Sequence, residues 1–74
     1  MPSLSPAQYD VLEHAIAAGG RVAIVRRGIE LVVLPQRLRV VTGREALDAR
    51  HPSTGDPLTI FLDELDTVEP VNRR

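Results

Sequence analysis

The sequence predicts an α+β domain that is mostly β: an N-terminal amphipathic helix followed by a five-stranded, bent antiparallel sheet curled into a partly open barrel. Three observations lead there. A capped run with apolar residues at helical spacing ends at Gly19-Gly20. From Arg21 onward the apolar period shortens to that of a strand. Glycine and proline then punctuate the rest of the chain at short intervals. At 74 residues the chain forms one small domain.

The helix is expected over residues 6–18. Ser5 serves as N-cap, and Pro6 takes the first helical position, where its missing N–H costs nothing. Gln8, three residues after Ser5, completes a capping box, and Leu4 and Tyr9 occupy the positions of a hydrophobic staple. Tyr9, Leu12 and Ile16 form the apolar stripe, widened by Val11 and Ala15. Asp10 and Glu13 are expected near the positive end of the helix dipole, and Gly19-Gly20 ends the helix.

Strands are expected at 21–26, 29–34, 37–42 continuing towards 51, 58–62 and 66–71. Val22 and Ile24 alternate with Ala23 and Val25, and Arg26-Arg27-Gly28 reads as a tight hairpin with Gly28 at positive φ. Ile29–Leu34 is rich in β-branched residues, and Pro35 is expected to interrupt it. Arg37, Arg39 and Val41 alternate with Leu38, Val40 and Thr42. Gly43 marks a bend or bulge, after which Glu45–His51 continues the strand or forms another. The segment His51–Pro57 is the densest turn signal in the chain. Leu58, Ile60 and Leu62 alternate beyond it, Asp63-Glu64-Leu65 reads as one helical turn, and Val68 is expected inward with Pro70 on an edge. A flat sheet of this size cannot bury both faces. Strongly bent strands closing into an SH3-like or Sm-like small barrel, capped by the helix, solve that problem and hide most edges.

Composition excludes several classes. Hydrophobic residues make up 43% and charged residues 26%, the balance of a folded domain. There is no cysteine, hence neither a disulfide nor a thiolate metal site. The longest apolar runs, such as Leu31–Leu34, fall far short of the ~20 residues of a membrane helix. No basic segment followed by an apolar one opens the chain, so a cytoplasmic location with no membrane contact is expected. No cofactor, metal or small-molecule substrate is expected. Two histidines make no zinc pattern, and Asp63, Glu64, Asp66 and Glu69 lack the spacing of a calcium loop. Asp48, His51 and Ser53 lie close in sequence, but no nucleophile elbow surrounds Ser53, and turn residues of these types are common. The chain is not expected to be an enzyme.

Charge is polarised although the net value is −1. Residues 1–44 carry six arginines against Asp10, Glu13 and Glu30, whereas residues 45–74 carry seven acids against three arginines. No lysine occurs, through coding bias or because planar guanidinium groups suit phosphate and carboxylate recognition. This leaves two binding readings. In the first, Asp10, Glu13, Asp63, Glu64 and Asp66 contact a basic protein partner, or the chain associates with itself. In the second, Arg26, Arg27, Arg37 and Arg39 meet RNA or DNA phosphates, although the aromatics that single-strand binders use are limited to Tyr9 and Phe61, both expected in the core.

Two resemblances follow from particular segments. Tyr9-Asp10-Val11-Leu12-Glu13-His14-Ala15 matches the helix pattern Tyr-Asp-x-Leu-Glu-x-Ala of the Rof family, small inhibitors of the transcription terminator Rho. The turn at Gly28 and Leu62-Asp63 with Leu65 also follow that family's layout, while its cysteine before the helix is absent. Leu34-Pro35-Gln36-Arg37-Leu38, Gly43–Ala49 and Leu62-Asp63-Glu64-Leu65 resemble the order of segments in the WYL domain, a module of bacterial transcription regulators. The Trp-Tyr-Leu signature itself and that family's helical DNA-binding part are missing. Both resemblances imply an Sm-like barrel. They point to a non-enzymatic, bacterial-type binding module in transcription regulation.

Overall fold

The computed structural model describes residues 4–71. Helix α1 spans Pro6–Ala18 and is followed by β1 (Val22–Arg26), β2 (Ile29–Val41), β3 (Arg44–Arg50), β4 (Pro57–Phe61), a 3-10 turn (Leu62–Glu64) and β5 (Leu65–Pro70). The strands form one antiparallel sheet in the order β4-β3-β2-β1-β5. It is strongly bent and not closed, because β4 and β5 do not pair with each other.

The start of α1 follows from local chemistry. The Ser5 side chain accepts from the Gln8 N–H while the Gln8 side chain accepts from the Ser5 N–H, so two otherwise orphaned donors are satisfied. Gly19 ends the helix in the left-handed region at φ 71°. Asp10 and Glu13 lie beyond the first turn, so the dipole role expected of them is not met. Their carboxylates are too far along the helix to reach its unpaired N–H groups.

The number of strands agrees with expectation, but their division differs. Pro35 does not break the sheet. Val22↔Val33 is the last pair between β1 and β2, and Leu34↔Arg50 is the first between β2 and β3. Pro35 therefore sits where β2 changes partners, next to a register shift between Pro35 and Arg37 that leaves Gln36 as an extra residue. A residue without an N–H is tolerated at such a bulge. The second division falls instead at Thr42-Gly43, whose φ angles of 51° and 78° match those of Arg27-Gly28 at 52° and 81°. Both are two-residue hairpin loops with the chirality that suits twisted strands.

The core lies inside the bend. Val22 and Ile24 of β1, Val33 of β2, Leu47 of β3 and Ile60 of β4 are fully buried, and Leu62, Leu65 and Val68 complete the shell. Helix α1 packs on β2 and β5, with a smaller contact to β1, and inserts Leu12 and Ala15 into this interior. Tyr9, Val11 and Ile16 pack at its margin. The apolar stripe of the helix thus plugs one end of the sheet. Phe61, expected in the core, is only half-buried. It pairs with Ala46 on the face opposite to Leu47 and Ile60.

The Thr42-Gly43 loop stores strain, since a β-branched residue at positive φ crowds its own carbonyl. Thr42→Asn is expected to stabilise the fold by about 1 kcal/mol, because Asn-Gly is the favoured pair for this loop. Urea unfolding should show a higher midpoint at unchanged slope.

Candidate functional site

Paired residues of an antiparallel sheet share a face, and this places the charges. Arg37, Asp48 and Thr59 are register partners, as are Arg39, Ala46 and Phe61. With Arg44 and Arg50 at the same parity of β3, four arginines stand on the outer face of β2, β3 and β4. The predicted nucleic-acid residues Arg37 and Arg39 therefore stand together. They are not free, because both Nε–H groups donate to Asp48, at 3.0 and 2.7 Å, and Thr59 donates to the other oxygen of that carboxylate.

Arg26 and Arg27 form part of a second cluster. Glu64, in the 3-10 turn, lies 3.8 Å from Arg26 and 3.6 Å from Arg27. Arg44 grips Asp63 through two parallel hydrogen bonds of 2.9 and 2.7 Å, reaches Glu64 at 3.5 Å and stacks 3.9 Å over the Phe61 ring. Asp66 accepts the Gly28 N–H at 3.2 Å. The predicted acidic contacts Asp63, Glu64 and Asp66 thus staple the 3-10 turn and β5 to the tips of two hairpins. Asp10 and Glu13 remain exposed on α1. Across both clusters five arginines meet Asp48, Asp63 and Glu64 while Arg50 donates to the Gly55 carbonyl, and the outer face keeps an excess of positive charge.

These pairings shift titration. Hydrogen bonds from Arg39 and then Arg37 hold the Asp48 carboxyl below the usual carboxylate range, and the hydrogen bond from Arg44 does the same for Asp63. Tyr9 donates to Glu45 across the open end of the sheet, which raises its pKa above the ordinary tyrosine value. Neither Tyr9–Glu45 nor Arg44–Phe61 was legible in the sequence. The partners lie 36 and 17 residues apart and follow no periodicity.

Catalytic geometry is not assembled among the described residues. His51 lies in an exposed turn closed by its own backbone, its N–H donating to Asp56 and its carbonyl accepting from Gly55. Asp48 is held by the two arginines and Thr59, not by His51. No group of three or more His, Asp or Glu side chains converges as a metal site among the described residues. Among the described residues no helix is long and apolar enough to cross a membrane.

The capped helix and the open, bent five-stranded sheet define the class: a small α+β barrel domain. The solved structure of proteasome accessory factor B/C (PafBC) of Arthrobacter aurescens contains this fold, with a TM-score of 0.77 over 99% of the present chain at 22% sequence identity. The chain spans 13% of the length of that protein. The likeness supports the expected WYL-type small barrel at the level of fold. No family model and no curated protein matches the sequence.

Depressed carboxylate pKa values stabilise the fold above the unfolded value near pH 4, and that contribution fades as pH falls through the lower folded values. Stability should therefore decline below about pH 4. Asp48→Asn should flatten this acid limb in urea titrations between pH 5 and 2, and the difference from wild type should shrink in high salt.

Proposed function

We propose that the chain is a non-enzymatic binding module that acts by protein–protein contact, self-association included, in bacterial transcription regulation. The supporting observation is the open sheet. Strands β4 and β5 each have one neighbour only, and Ile29, Val32 and Val40 are exposed at 65%, 40% and 67%. An unpaired strand edge is a template for another chain, and exposed β-branched residues supply the apolar contact. In this reading Asp10 and Glu13 meet a basic partner directly, while Asp63, Glu64 and Asp66 do so from the stapled turn. The fold-level likeness to an accessory factor and the resemblance to WYL modules support the regulatory setting.

One observation favours a second reading, in which the positive outer face binds RNA or DNA. Arg26, Arg27, Arg37 and Arg39 are oriented by carboxylates that do not fully neutralise them. Phosphates would compete with Glu64 and Asp48 for the same guanidinium groups.

Light scattering of the purified chain over a range of concentrations is expected to give a mass above that of one copy, falling to one copy in Val32→Lys and Val40→Lys. A single-copy mass at every concentration would remove self-association. Titration of fluorescent single-stranded RNA is expected to give weak binding at most. Micromolar or tighter binding with a steep salt slope, lost in Arg26/Arg27→Ala or Arg37/Arg39→Ala, would put the nucleic-acid reading first.

A further inference from the structure

A second kind of site lies apart from the exposed Ile29, Val32 and Val40 and from the arginine clusters. Where the C-terminal end of α1 meets the middle of β2 and the end of β5, Val11, Ala15, Ala18, Leu34, Pro70 and Val71 line a half-open groove of about 450 Å³. Its volume falls within the range of small-ligand sites, and its lining is mainly apolar, as such sites are. Two polar side chains, Arg21 and His14, stand on its wall. Arg21 is exposed and, among the described residues, has no carboxylate within ion-pair distance, whereas Arg26, Arg27, Arg37, Arg39 and Arg44 each have one. A concavity of similar size beside Arg37 and Arg50 is more polar and already contains Asp48.

We propose that this groove binds a small amphiphilic carboxylate, with the apolar chain between α1, the middle of β2 and the end of β5 and the carboxylate on Arg21. The complementarity is of charge and of shape. One unpaired guanidinium beside an apolar cleft matches one anionic head on one apolar tail, and His14 adds a hydrogen-bond donor. A nucleic acid, charged at every residue and lacking an apolar tail, does not match it. The groove reaches the end of β5 but not Ile29, Val32 or Val40, so Val32→Lys and Val40→Lys test self-association without altering its lining.

The test is a titration of the isotope-labelled chain with decanoate below its micelle concentration, followed by amide NMR. Saturable shifts are expected at Gly19, Gly20, Arg21, Leu34 and Val71, which surround the groove. Octanoate should bind about tenfold more weakly, at roughly threefold per methylene. Arg21→Gln should weaken decanoate at least fivefold, by about the factor that separates decanoate from neutral decanol. Ala18→Trp, at an exposed helix position, should fill the groove and abolish binding with the rest of the spectrum unchanged. Should Ala18→Trp fail to fold, Arg21→Gln alone decides the matter. The proposal is overturned by an absence of shifts at these amides, by shifts centred on Ile29, Val32 and Val40, or by undiminished binding in Arg21→Gln.

Discussion

The bend of β2 at Pro35-Gln36 is the constraint on which the rest of the molecule depends. Thirteen residues of straight strand would extend about 40 Å, beyond the longest dimension of the chain at 35 Å. The strand instead turns through a bulge and exchanges β1 for β3 as its partner. Each half of β2 thereby carries one half of the sheet, β1 and β5 on the first and β3 and β4 on the second. The inner faces then approach closely enough to exclude water from Val22, Ile24, Val33, Leu47 and Ile60. Without the bend these side chains would lie on one open face, and Leu12 of α1 would have no cavity to fill.

The bend also explains the use of charge. A curved sheet brings the β1–β2 loop, the start of β3 and the 3-10 turn together, and there Arg26, Arg27 and Arg44 meet Asp63 and Glu64. Arginine suits these positions because a planar guanidinium can grip a carboxylate with two bonds and still lie over an aromatic ring, as Arg44 does. These pairs are exposed, so their contribution to stability is small and sensitive to salt. A basic segment and an acidic segment that would each attract an opposite partner in an extended chain are folded against each other. In the proposed readings a partner meets the excess positive charge of the outer face, the free edges of β4 and β5, the exposed acids of α1 and the stapled acids of the 3-10 turn.

The likeness to part of PafBC concerns the fold and carries no residue-level correspondence at 22% identity. The proposed binding roles rest instead on three features of this chain: unsatisfied strand edges, oriented guanidinium groups and an apolar groove beside Arg21, which has no carboxylate partner among the described residues. The groove shares β5 with one strand edge, but Arg21 lies outside both arginine clusters, so each feature has substitutions of its own.

What the sequence determined by itself was local. The capping box of Ser5 and Gln8, the stripe through Leu12, the end at Gly19 and the loop at Arg27-Gly28 all depend on residues within a turn of one another, so their chemistry is written contiguously. The number of strands and the need to bend them were legible for the same reason. Tertiary structure alone decided whether Pro35 would end a strand or mark its bend, because that depends on which neighbour β2 pairs with at that point. It also decided that Phe61 would lie beneath Arg44 and not in the core, and that Asp63 and Glu64 would neutralise arginines distant in the chain. Such pairings are set by sheet register and curvature, and no spacing along the sequence encodes them.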